Sequence, residues 1–117
     1  MDRIFIKDLE IEMSIGIYEE EKIAPQRVII SISLDINTPA EQSDNIDDTV
    51  SYKTVIDDIK TLATARHYNL VESFAEEIAT SCLKDKRVKQ VEVEVTKPDI
   101  FIDAAGVGIC IIRKQKN

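Results

Sequence analysis

The sequence predicts an α+β domain with element order ββααββ. Two observations carry that expectation. Apolar residues alternate with a period of two at both ends of the chain, and they recur at helical spacing in the middle. Polar, turn-forming stretches separate these blocks, and no internal repeat or low-complexity run interrupts them. Strand pairs flanking a helical pair give an antiparallel four-stranded sheet with two helices on one face. At 117 residues the chain is about one domain, spanning residues 1–117.

The first strand occupies Arg3 to Tyr18. Leu9, Ile11, Met13, Ile15 and Ile17 share one phase, whereas Ile4 and Ile6 share the other. Strand side chains alternate between faces, so the phase change near Lys7-Asp8 predicts a bulge or bend. Arg27 to Ile36 places Val28, Ile30, Ile32, Leu34 and Ile36 on one face and Ser31, Ser33 and Asp35 on the other. That is the pattern of a half-buried antiparallel strand. The Glu19–Lys22 charge run and Pro25 read as the connection between the two strands.

Asn37 to Asp48 is polar, contains Pro39 and reads as a loop, long enough to carry function. Val55, Ile59, Leu62 and Ala63 then predict a helix, with Ser51 as its cap. Val71, Phe74, Ala75, Ile78, Ala79 and Cys82 form the apolar stripe of a second helix. The short His67-Tyr68-Asn69 link requires the two to run antiparallel. Val91, Val93 and Val95 alternate with Glu92 and Glu94 in a third strand, and Val107 to Ile112 forms a fourth that is apolar on both faces. One helical layer covers one sheet face only. Cys110 and Ile112, opposite Ile109 and Ile111, therefore need other cover, and a neighbouring subunit is the economical source. Pairing between subunits would also remove the open sheet edges.

Composition narrows the function. The formal net charge is −7, from 22 acidic and 15 basic side chains. Nucleic acid binding needs clustered Lys and Arg, so it is disfavoured; an anion-binding pocket is not, because local charge can oppose the global field. Cys82 and Cys110 sit among apolar neighbours and read as two buried thiols, without a disulfide framework or zinc site. His67, the single histidine, reads as a surface residue of the inter-helix turn, and no metal-ligand cluster is evident. No stretch approaches the roughly 20 apolar residues of a membrane span. The start, Met1-Asp2-Arg3-Ile4-Phe5, lacks the pattern of a signal peptide. The expectation is a cytoplasmic protein without membrane, nucleic acid, metal or cofactor.

Polar groups stand beside apolar positions in Ile15-Gly16-Ile17-Tyr18-Glu19-Glu20-Glu21, Asp44-Asn45-Ile46-Asp47-Asp48-Thr49-Val50-Ser51-Tyr52, Asn69-Leu70-Val71-Glu72-Ser73-Phe74-Ala75-Glu76, Thr96-Lys97-Pro98 and Gly106-Val107-Gly108-Ile109. By order and spacing these strings resemble the dihydroneopterin aldolases of folate biosynthesis, over about Ile4 to Arg113. The resemblance implies the tunnelling fold, in which ββααββ subunits close into a tetrameric β-barrel with helices outside. It also implies stacking of two rings into an octamer, with active sites between subunits. The implied reaction splits 7,8-dihydroneopterin into 6-hydroxymethyl-7,8-dihydropterin and glycolaldehyde, with possible C2′ epimerisation. It uses neither a metal nor a lysine imine, because the C6=N5 imine of the pterin ring is the electron sink.

On that resemblance Lys97 is the acid–base residue, and Pro98 holds its backbone extended. Glu72 is the pterin anchor, accepting the amino group and ring N–H in a two-bond fork. Leu70 and Val71 complete recognition of the ring edge. Glu21, five residues beyond Gly16, orients the substrate hydroxyls or the lysine. Tyr52 reaches in from the neighbouring subunit to help move the proton, and Val50 lies with it against the substrate. The run Asp99-Ile100-Phe101-Ile102-Asp103 is more acidic and bulkier than the family pattern, which predicts a reshaped pocket rim. Two alternatives stay open: a dihydroneopterin triphosphate 2′-epimerase, and a non-catalytic ring that binds pterin or purine. A triphosphate would want Lys or Arg at the pocket mouth, and the sequence shows no such cluster.

Overall fold

Alternating strands and an amphipathic helical pair assemble as the periodicity predicts. The computed structural model describes residues 1–116. Strands β1 (Asp2–Met13), β2 (Gln26–Ile36), β3 (Val88–Lys97) and β4 (Val107–Lys114) form one antiparallel sheet in the order β1-β2-β3-β4. Between β2 and β3 come the long helices α3 (Tyr52–Ala65) and α4 (Val71–Cys82). Thr54 and Val55 near the start of α3 share a cavity wall with Ser81 and Cys82 at the end of α4, so the two run antiparallel. Both pack on the same side of the sheet, α3 over β1 and α4 over β3 and β4.

The phase change in β1 is a bulge. Ile6 pairs with Ile32 and Leu9 with Ile30, so Lys7 and Asp8 together oppose Ser31. Asp8 takes a left-handed φ of 56°; its N–H donates to Ser31 Oγ at 2.9 Å. The extra residue resets the alternation. Ile4 and Ile6 before it, and Leu9, Ile11 and Met13 after it, all pack against the same core.

That core joins Val28, Ile30, Ile32 and Leu34 of β2 and Val91, Val93 and Val95 of β3 to Ile59, Phe74 and Ile78 of the helices. Each aliphatic side chain so buried contributes about 1.5–3 kcal/mol relative to exposure. Tyr68, in the inter-helix link, packs its ring 5.0 Å from Phe74 and donates its hydroxyl to the Leu62 carbonyl. Burial pushes its phenol up to about 12, with Glu77 adding to the shift.

Several expectations are corrected. The charge run before Pro25 is a short helix, α1 (Glu19–Ile23), and the 37–48 segment contains a helical turn, α2 (Ala40–Ser43), and a 3₁₀ turn, Ile46–Asp48. Of the two thiols only Cys82 is buried; burial pushes it up to about 12. Cys110 is exposed, because strand alternation sets it on the face away from the helices. Ile112, on that same face, is 51% exposed, while Ile111 beneath the helices is buried.

Candidate functional site

The chain ends of three elements meet at one end of the sheet. β1 runs out through Ser14 and Ile15 into Gly16, where φ is +126°. A side chain there would be strained, and a Cβ would land on the Glu21 carboxylate. Glycine therefore lets α1 fold back so that Glu21 fills the space beside the turn. Its carboxylate accepts the Tyr18 N–H at 3.3 Å, Gln26 Nε2 at 2.8 Å and Lys97 Nζ at 2.7 Å. Gln26 also donates to the Ile15 carbonyl at 2.7 Å, tying the start of β2 to the end of β1.

Glu21 is only 5% exposed, although Glu19 and Glu20 beside it face solvent. Burial alone would push its carboxyl up. The hydrogen bonds from Lys97, Gln26 and Tyr18 outweigh that, and with the Lys97 charge they hold it below the usual range. Lys97 is the last residue of β3, opposite Val107. Its ammonium and the Glu21 carboxylate form the most enclosed ion pair among the described residues.

A cleft of about 280 Å³ opens beside this pair, lined by Ile17, Tyr18, Asn69, Leu70, Val71 and Glu72 and closed by Val107 and Gly108. Leu70 is the N-cap residue of α4 and offers no side-chain cap. The first-turn N–H groups of that helix thus stay available to a ligand, and Glu72 stands among them. The arrangement presents hydrogen-bond donors, a carboxylate and an amine–carboxylate pair around an apolar floor. It suits a flat polar heterocycle with a side chain that exchanges protons.

Of the residues singled out by sequence, Glu21, Leu70, Val71, Glu72 and Lys97 come together here. Tyr52 and Val50 do not. Tyr52 is 62% exposed at the start of α3; Val50 is buried in a separate cavity of about 310 Å³ with Asp58, Cys82 and Arg87. The antiparallel helices explain the separation. The start of α4 lies near the end of α3, and 14 residues of helix, roughly 21 Å, part that end from Tyr52. The 99–103 segment does not line the cleft in one chain. Asp99 instead takes a two-bond grip from Arg27 at 2.9 and 3.1 Å, which holds its carboxyl low.

His67 is corrected from a surface residue to a half-buried one. Its Nε2 meets the Gly16 carbonyl at 2.8 Å and its Nδ1 meets Ser14 Oγ. Gln26 was also missed by sequence reasoning. A Gln opening a strand carries no pattern of its own; its role follows from the approach of Glu21.

Comparison with known proteins gives the family. The dihydroneopterin aldolase family model matches residues 4–112. A dihydroneopterin aldolase of Streptomyces coelicolor is 35% identical over 118 residues, covering 98% of this chain and 99% of that protein. The crystal structure of Escherichia coli dihydroneopterin aldolase in complex with neopterin superposes with a TM-score of 0.91 at 30% identity, covering 97% of this chain and 99% of that one. A Burkholderia dihydroneopterin aldolase bound to guanine gives 0.84 at 26% identity, over 98% and 92% of the two chains. The chain belongs to the dihydroneopterin aldolase family.

Proposed function

We infer that this chain, as a lyase of that family, cleaves 7,8-dihydroneopterin between C1′ and C2′ of its side chain. The carrying observation is the Lys97–Glu21 pair, held at 2.7 Å at the mouth of a cleft whose other wall is the uncapped start of α4. Neopterin in the Escherichia coli protein and guanine in the Burkholderia one share the amino-pyrimidinone edge that Glu72 and the free N–H groups of α4 would grip. The carboxylate accepts the exocyclic amine and ring N–H, and the backbone at Leu70 and Val71 meets the rest of that edge.

The ring supplies the electron sink. With its own proton passed to the Glu21 carboxylate, the Lys97 amine takes the proton of the 2′-hydroxyl, C2′ becomes the carbonyl of glycolaldehyde, and the C1′–C2′ bond breaks. Its electron pair forms C6=C1′ as the C6=N5 bond opens and N5 gains a proton. A proton is then placed on C1′ and the N5 proton is lost, restoring the imine in 6-hydroxymethyl-7,8-dihydropterin. Atoms balance and nothing is oxidised or reduced. Recombination on the other face before release would epimerise C2′.

The cleft of one chain, about 280 Å³, lies at the lower bound for a pocket that encloses a small molecule. A neighbouring subunit would supply the missing wall, bringing Tyr52 and Val50 onto the substrate in a tetrameric ring, two of which stack as an octamer. The open edges of β1 and β4 and the bare outer sheet face support that assembly. No helix among the described residues is long and apolar enough to cross a membrane. The two unpaired cysteines fit a reducing, cytoplasmic setting.

The deciding experiment is incubation with 7,8-dihydroneopterin and, separately, with its triphosphate, followed by product identification. Release of glycolaldehyde from the first is the expected result. Turnover of the triphosphate alone, to an epimer, would assign the chain to the sister activity. Binding with no product from either would leave a pterin-binding ring.

A further inference from the structure

We propose that His67 is a positioning residue for this chemistry, clamping the Gly16 turn so that the Lys97–Glu21 pair stands at a fixed distance from the ring-gripping start of α4. The proposal rests on the lyase reading above. A backbone carbonyl only accepts, so the 2.8 Å contact with the Gly16 oxygen puts the ring hydrogen on Nε2. In the neutral ring, Nδ1 then accepts the Ser14 hydroxyl. The imidazole thus spans from Ser14 to Gly16 and fixes both ends of the turn.

This turn is where the two halves of the cleft are joined. The Tyr68 N–H donates to the Ser14 carbonyl at 3.1 Å, and the Gly16 N–H donates to the Tyr68 carbonyl at 2.8 Å. Together they make an isolated parallel bridge between Ile15 and Tyr68. On one side of it, the space left by the absent Gly16 side chain holds the Glu21 carboxylate. On the other, the chain passes directly from Tyr68 into Asn69–Glu72, the recognition wall. Only these two backbone bonds, outside the sheet, tie the turn to the inter-helix link, and the backbone freedom of glycine leaves the shape of the turn to such ties. The two side-chain bonds of His67 double the ties across the bridge. Reactive geometry tolerates little displacement, since an error of about 1 Å costs roughly a hundredfold in rate.

The test compares His67→Ala and His67→Gln in the full-length assembled protein. Gln reaches the Gly16 carbonyl with a side-chain N–H, and Ala does not. His67→Ala should lower kcat about tenfold while KM for 7,8-dihydroneopterin stays within about threefold, because Glu72 and the helix start are untouched. His67→Gln should recover most of kcat. Hydrogen exchange of the Gly16 and Tyr68 amides, followed by mass spectrometry, should quicken about tenfold in the alanine variant and return toward wild type with Gln. If His67→Ala does not assemble, Ser14→Ala, which frees the ring at Nδ1, carries the same test with the same expected split. Unchanged kcat in an active enzyme overturns the proposal. So does equal loss in both variants with the two amides still protected. Wild-type protein that releases no glycolaldehyde overturns the lyase reading instead, and the exchange measurement then decides the clamp by itself.

Discussion

Glu21 shows how one side chain joins fold to chemistry. It is buried, yet charged, because three donors converge on it and one of them is the lysine that lines the cleft. Its carboxyl titrates lower in the folded chain than in the unfolded one. The sign follows from linkage. The stability it contributes is fully present above the unfolded carboxyl value, near 4.3, and is lost as pH falls through the lower folded value. Glu21→Gln should therefore flatten part of the acid limb, and at pH 7 it should destabilise by about 1–3 kcal/mol through loss of the charge-assisted bond to Lys97. Urea denaturation midpoints of both proteins from pH 7 to pH 3 check this; parallel pH curves would refute it. A second expectation separates the two halves of the cleft. Lys97→Ala should lose at least a hundredfold in turnover with pterin affinity nearly unchanged, because general acid–base catalysis contributes about 10²–10⁴-fold. Glu72→Ala should instead weaken pterin binding by roughly tenfold or more, the loss of a charge-assisted fork. Calorimetric titration with neopterin beside steady-state kinetics distinguishes them, and the reverse pattern would exchange their roles.

At the scale of elements, period was legible and context was not. The four strands and two long helices follow from apolar spacing, and even the β1 bulge shows as a phase error between Ile6 and Leu9. Ser51 accepts the Thr54 N–H as the cap of α3, as its position before the apolar stripe implied. That contact is long at 3.4 Å, so Ser51→Ala should cost toward the lower end of the capping range, about 0.5–1 kcal/mol by thermal or urea unfolding. A loss above roughly 2 kcal/mol would mean that Ser51 does more than cap. Helix α1 escaped notice because five residues hold too little of a period to read, and Glu21 is its single buried residue. The clustering of Glu21, Glu72 and Lys97 came from resemblance; the spacing of these residues along the chain carries no distance between them. His67 illustrates the same limit from the other side. A polar residue in a short link reads as solvated until the end of β1 is seen to pass beneath it.

The whole molecule is an elongated slab, 50 × 27 × 24 Å, with helices on one face and bare sheet on the other. Phe5 and Ile112 are 64% and 51% exposed, and both outer strands have unpaired edges. In the ring proposed above, edge pairing with copies of the chain would also hide this outer face. Ring closure would carry Tyr52, stranded at the far end of α3 in one chain, to a neighbour's Lys97. Subunit mixing tests that transfer directly. Tyr52→Phe and Lys97→Ala should each be nearly inactive as uniform assemblies. Unfolded together in equal amounts and refolded, they should recover about a quarter of wild-type activity, since about one seam in four then joins an intact Lys97 to an intact Tyr52. Mixing the two after separate assembly should recover nothing. If co-refolded protein stays inactive while eluting at the wild-type size, Tyr52 does not act across the seam, and the cleft must be completed by some other residue.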